Sequence, residues 1–177
     1  MDLPKYAKLE IERRALVDPD LCPDFADERF DLIDDLYFDG GRLRLRAMTD
    51  SQTAHKTFKL CKKYASDDAI SGAIVNIYLD AAEHAALTRL PSRSIRKRRH
   101  RQNVGGVTFA IDVFEGDLEG LILCEAEAST PQTVRAIVFP PWASVEVSDD
   151  PFFRGGNLCR VSRKALAART REMWGAG

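Results

Sequence analysis

The chain has 177 residues, 45% of them apolar and 30% charged, with a formal net charge of −1. That length suits one domain with a sizeable core, and the near-neutral balance argues against a surface that binds polyanions everywhere, while leaving local segregation of charge open. No apolar run reaches membrane-spanning length, Met1 to Lys8 holds no signal-peptide core, and Cys22, Cys61, Cys124 and Cys159 form no CxxC pair, so the expectation is a cytoplasmic protein with reduced thiols and no zinc site.

A strand is predicted from about Lys8 to Val17. Successive side chains of a strand alternate between faces, so Leu9 and Ile11 share one side and Glu10, Glu12 and Arg14 the other. Asp18-Pro19-Asp20 stops it, and Leu21 to Arg29, acid-rich and interrupted by Pro23, reads as a loop or a short helix. Leu32 to Asp39 alternates again, and Gly40-Gly41 supplies a hairpin turn. The next strand, Arg42 to Ala47, carries Arg42, Arg44 and Arg46 on one face. In Lys56 to Lys63, Lys59 lies on the face of Thr57 and Cys61. Ala73 to Leu79 is apolar and β-branched; Asn76 and Tyr78 share a face with Ile74 that is expected to look inward.

Asp80 is a good N-cap for a helix from Ala81 to Leu90, with Glu83 at the capping-box position. Arg93 to Arg101 is the densest basic run of the chain. Gly105-Gly106 turns it back into Val107 to Phe114, which carries Asp112. Gly116 and Gly120 bracket a turn before Leu121 to Ala128, which holds Glu125 and Glu127. Val145 to Val147 is a short strand with Glu146, Gly155-Gly156 a loop, and 161–174 a basic, alanine-rich helix.

One charged strand face normally meets water. Its recurrence, acidic in some strands and basic in others, over about eight mostly antiparallel, hairpin-linked strands with few helices, points to an α+β, mainly β fold, a closed barrel or a strongly curved sheet whose charged faces look inward. The interior then gathers Glu10, Glu12, Asp112, Glu125, Glu127 and Glu146 opposite Arg14, Arg42, Arg44, Arg46, Lys59, Lys97 and Arg99. Such burial is tolerable only if the charges are paired, hydrated or meant for a ligand. Carboxylate pairs suit a hard divalent cation, and the planar fork of arginine suits phosphate oxygens. The pattern therefore describes a container for a metal–polyphosphate complex.

The motifs that carry this pattern resemble those of a known family. Glu10-Ile11-Glu12-Arg13-Arg14 is similar to the ExExK signature of the CYTH, or triphosphate tunnel metalloenzyme, family. Leu43 to Arg46 resembles its LRxR strand, Thr57 to Lys59 its TxK strand, and Ile95 to His100 its xKxRy strand. Phe109 to Phe114 is similar to IDvF, Gly120 to Glu127 to GLxxxExE, and Trp142 to Ser148 to wxxxEVT. The resemblance spans about 8–158 within a single domain covering 1–177. It implies a closed eight-stranded antiparallel β-barrel, a tunnel with a charged interior and a few peripheral helices, that binds triphosphates with Mg²⁺ or Mn²⁺, in a family whose members hydrolyse inorganic tripolyphosphate or thiamine triphosphate, or cyclise ATP. Carried over by position, Arg14, Arg44, Arg46, Lys59, Lys97 and Arg99 would hold phosphates, with Arg42 added by strand parity. Glu10, Glu12, Glu125 and Glu127 would serve metals, with Asp112 and Glu146 as helpers, and Glu12 and Glu127 would act on the attacking water. Two departures stand out: the signature lysine is Arg14, and Ala73 to Leu79 lacks the R-x-E-x-E acids of many members, as in one bacterial branch.

The expected function is metal-dependent hydrolysis of inorganic tripolyphosphate or a similar small triphosphate. The alternative is a non-catalytic module that captures polyphosphate or nucleotide. A nucleic-acid patch at Arg93 to Arg101 is disfavoured, because Lys97 and Arg99 fit an inward face while Arg96 and Arg98 are solvated. A monomer and a homodimer both remain open.

Overall fold

The computed structural model describes residues 3–24 and 29–175. Its strands are β1 (Lys8–Leu16), β2 (Asp31–Phe38), β3 (Leu43–Asp50), β4 (Lys56–Lys63), β5 (Ser71–Leu79), β6 (Ser92–Val104), β7 (Val107–Phe114) and β8 (Ile122–Glu127). They run antiparallel in the order β5-β4-β3-β2-β6-β7-β8-β1, and β1 returns to β5 to close the ring. Of the two forms the alternation allowed, the closed barrel is the observed one, with the eight strands that the resemblance implies. A ninth strand, β9 (Val145–Glu146), lies beside the end of β1. The closing seam is split along its length: Lys8 to Ile11 pair with β5, while Ala15 and Leu16 pair with β9.

Local chemistry accounts for the connections. Between β6 and β7 only Gly105 and Gly106 intervene, with φ of +60° and +84°. A two-residue hairpin loop of this twist needs both residues left-handed, which glycine adopts without steric cost. Helix α1 (Ala81–Leu87) has the expected capping box: Asp80 Oδ1 accepts from Glu83 N at 2.8 Å, and Glu83 Oε2 accepts from Asp80 N at 2.9 Å. It stops at Leu87, three residues before the expected Leu90, with Thr88 as its C-cap. A short helix not anticipated from the sequence, α2 (Pro131–Ala136), is capped by Thr130, whose hydroxyl accepts from Thr133 N at 3.1 Å, with Pro131 in its first turn. Of the stretch 21–29, residues 21–24 and 29 are non-helical and 25–28 lie outside the described residues.

Apolar residues pack on both sides of the barrel wall. Ala15, Val17, Phe109, Ile111, Cys124 and Ala126 bury the outer face of β1, β7 and β8 against Phe139, Trp142 and Ala143. On the inner face, Leu16, Ile95, Phe114 and Leu123 meet Phe153, Leu158 and Leu166 from the C-terminal segment. These inner residues keep the parity of Arg14, Lys97, Asp112 and Glu125, so one face of each strand is apolar at one end of the barrel and charged in the middle. At roughly 1.5–3 kcal/mol per fully buried large side chain, the apolar end supplies stability that a charged interior does not. The C-terminal segment contains α3 (Gly155–Leu158) and α4 (Arg163–Gly175). At Gly155 a Cβ would clash with Tyr37 Oη, so glycine lets this turn lie against β2.

Candidate active site inside the barrel

A cavity of about 530 Å³ opens within the charged middle. Glu10, Glu12 and Arg14 line it from β1, Arg44 and Arg46 from β3, Lys63 from β4, Lys97 and Arg99 from β6, and Glu125 and Glu127 from β8. Arg42 stands at its rim before β3, and Arg154 and Arg160 reach it from the C-terminal segment. Bases outnumber acids in this lining.

The charges form one interlocked chain. Lys97 meets Asp112, and Arg99 donates to both oxygens of Asp112 at 2.6 and 2.7 Å. Arg99 also donates to Glu125 at 2.5 Å, whose other oxygen accepts from Arg14 Nε at 3.0 Å. Arg14 continues to Glu12, and Lys63 bridges Glu12, at 3.6 Å, and Glu10. On the facing wall Arg46 donates to both oxygens of Asp35 at 2.6 and 2.7 Å, and Arg44 Nε stands 3.7 Å from the same carboxylate.

For Asp35, Glu125 and Lys97, burial opposes the charge and the partners decide the outcome. The Asp35 carboxyl would rise on burial, but Arg46 and Arg44 hold it down at about 2. Glu125 is likewise held well below the usual carboxylate range by Arg99 and Arg14 against its burial. Lys97 goes the other way: burial lowers its ammonium, and Asp112 only partly restores it. Glu127 differs from its neighbours. Its carboxyl is pushed up, by partial burial first and then by the charges of Glu12, Glu10 and Glu125, and among the described residues it has no ion pair.

Strand parity thus brings Glu10, Glu12, Glu125, Glu127, Arg14, Arg44, Arg46, Lys97 and Arg99 to one cavity. Other expected members stand elsewhere. Glu146 faces outward: it is cross-strand from Ala15 on the outer face and takes two hydrogen bonds from Arg13, at 2.7 and 2.5 Å. Asp112 is fully buried behind Lys97 and Arg99 and holds them, rather than lining the cavity. Lys59 shares the inner face with its cross-strand neighbour Arg46, but lies outside the cavity with its Nζ 5.0 Å from the centre of the Tyr78 ring. Asn76 and Tyr78 are in register with Cys61 and Lys59, as parity requires, yet both are exposed and neither lines the cavity. Arg96 and Arg98 point out and pair with Asp34 and Glu115.

Sequence reading missed Asp35, which holds Arg46, and Lys63, Asp68, Arg154 and Arg160, which line the cavity. Lys63 had a usable signal, since it continues the face of Lys59 and Cys61. Asp35 had a weaker one, a single acid between Ile33 and Tyr37 on a face that proves to lie opposite Arg46.

The donor set fits a hard divalent cation. Glu12 and Glu127 are directly cross-strand, and the acid charges that add to burial in raising the Glu127 carboxyl are what a bound dication relieves. Among the described residues, no three acids, histidines or cysteines are already gathered as a metal site; arginine and lysine hold most of these carboxylates instead.

No protein-family model matches the chain. It is 30% identical over 104 residues to an inorganic triphosphatase of Nitrosomonas europaea, a match covering 58% of this chain and 64% of that protein. The chain therefore spans less than two thirds of that relative's length. A crystal structure of an inorganic triphosphatase superposes with a TM-score of 0.57 at 24% identity, covering 86% of this chain and 95% of the other. A protein from Pyrococcus horikoshii superposes with a TM-score of 0.52 at 19% identity, covering 71% and 82%. The ring of charged strands and these likenesses show that the chain shares the closed-barrel fold of these proteins, in keeping with the resemblance read from its motifs.

Proposed function

We propose that this single domain, 1–177, hydrolyses inorganic tripolyphosphate or a similar small triphosphate, in the cytoplasm and with Mg²⁺ or Mn²⁺. The observation that carries this reading is the convergence of Arg14, Arg44, Arg46, Lys97 and Arg99 on one cavity beside Glu10, Glu12, Glu125 and Glu127. The name of the Nitrosomonas relative, an inorganic triphosphatase, supports it.

Phosphoryl transfer asks little covalent chemistry of a protein; it asks for position and for charge where negative charge develops. The guanidiniums of Arg44 and Arg46, held by Asp35, and those of Arg14 and Arg99 would bind and align the phosphates from opposite walls. Glu10, Glu12, Glu125 and Glu127 would hold a divalent cation, whose chemistry when bound would be to neutralise the phosphoryl oxygens. Glu127 is the carboxylate best suited to take the proton of the attacking water, since its raised pKa makes it a better base than Glu125, which its arginine partners hold low. Lys59 and Glu146 have no part in this scheme.

The binding-only reading is favoured by one observation, the absence of acids on β5. The two readings separate in one experiment. Purified protein is given tripolyphosphate, thiamine triphosphate or ATP with Mg²⁺ or Mn²⁺, and phosphate release is followed together with calorimetric binding. Release that disappears in Glu12→Gln and Glu127→Gln is expected. Tight binding of tripolyphosphate with no release under either metal would establish the binding module instead.

A further inference from the structure

We propose that Lys63 is a built-in counter-cation of the acidic wall, occupying the place between Glu10 and Glu12 that a metal would take. On this view, metal binding depends on the polyphosphate being present. The inference rests on the acidic wall being a metal site, as the proposed function holds, and concerns a residue outside every motif of the chain.

Lys63 is the last residue of β4, and its Nζ meets a carboxylate oxygen of Glu10 while standing 3.6 Å from Oε1 of Glu12. Its neighbour across the ladder is Ile74, and β5 has no acid anywhere along its length. The lysine charge is therefore directed wholly at the β1 pair. Glu12 is also held by Arg14, so both β1 acids are already neutralised.

An ammonium on a four-carbon stem is a mobile point charge. It satisfies carboxylates, but it cannot share them with a dication a few ångströms away without strong repulsion. A polyphosphate in the cavity changes this balance. It offers Nζ another anionic partner, Lys63 can leave Glu10, and the freed oxygens then suit a hard cation. Metal and polyphosphate should therefore each tighten the binding of the other, as any such coupling must be reciprocal. Lys63 is a positioning residue here, acting through Glu10 and Glu12.

The test measures Mn²⁺ binding to substrate-free protein, by the paramagnetic resonance signal of free Mn²⁺, with no turnover involved. Lys63→Met should bind Mn²⁺ about tenfold or more tightly than wild type, within the usual range of coupling between sites. Lys63→Arg should stay weak because it restores the charge, and Lys164→Met, on exposed α4, should match wild type. Lys63→Gln serves as a second neutral variant if methionine impairs folding. Adding Glu10→Gln to Lys63→Met should abolish the gain. Mn²⁺ binding to Lys63→Met and Lys63→Gln no tighter than to wild type overturns the inference, as does Lys63→Arg binding as tightly as they do. Calorimetry with inorganic tripolyphosphate tests the parent reading separately: if wild type does not bind it, the proposed function falls, whereas binding without a Lys63 effect removes only the role of Lys63.

Discussion

Asp35→Asn tests whether the phosphate-facing wall is held up from behind. The substitution keeps the shape of the side chain and removes its charge. Asp35 is 1% exposed, and both its oxygens accept from Arg46, at 2.6 and 2.7 Å. Its carboxyl lies at about 2 instead of the usual 3.8, even though burial alone would raise it. At 1.36 kcal/mol per unit, that displacement corresponds to stabilisation on the order of 2 kcal/mol. Loss of one partner from a buried ion pair costs about 3–5 kcal/mol, because the remaining charge is left uncompensated. Together these set the expected loss at about 3 kcal/mol near neutral pH. The pKa is depressed in the folded state, so the contribution is present above 3.8 and lost as pH falls through about 2. The gap between wild type and variant should therefore be constant from about pH 5 to pH 8. Urea denaturation across that range measures it. Tripolyphosphate should also raise the melting temperature of the variant more than that of wild type, since Arg44 and Arg46 have lost their internal anion. A loss below about 1 kcal/mol at neutral pH would refute the reasoning.

Other outcomes follow from the same geometry. The Glu127 carboxyl is raised in the folded protein, so its contribution to stability is full below the ordinary carboxylate range and is lost as pH rises through its own value. Thermal melts in chelator should find Glu127→Gln more stable than wild type at about pH 8, with no advantage at about pH 4. Arg99→Ala strips Asp112 and Glu125 of a shared partner and should cost about 3–5 kcal/mol in urea, whereas Arg42→Ala, exposed at the rim, should weaken tripolyphosphate binding by calorimetry and leave stability unchanged. Gly155→Ala forces a methyl group into Tyr37 and should cost about 1–3 kcal/mol. Gly156→Ala, with open space around it, is the matched control.

The faces of this barrel were legible in the sequence because a strand has a period of two and a closed barrel offers only an inside and an outside. Glu10, Glu12 and Arg14, or Lys97 and Arg99, could be assigned inward without knowing which strands were neighbours. Depth along the barrel was not legible. Lys59 and Lys63 share a face, but four residues of strand separate them by about 13 Å, and only Lys63 reaches the cavity. Register was hidden as well: Glu146 has a place in a motif, yet its partner on β1 is Ala15, which fixes it outside. Asp35 escaped because its meaning depends on Arg46 across a hairpin. Arg154 and Arg160 escaped because a loop shows no parity; tertiary packing against Tyr37 places them.

The ion chain running from Lys97 to Glu10 makes the cavity wall an internal salt. A polyanion that enters performs ion exchange against counter-ions bolted to the wall. Each phosphate oxygen that takes over a guanidinium releases a carboxylate, and that carboxylate stays beside the newcomer instead of diffusing into the bulk. Mobile ions of the buffer are released in smaller number than the arginines alone would dictate. Binding should therefore weaken with added salt along a shallower line than a bare basic groove of the same charge would show.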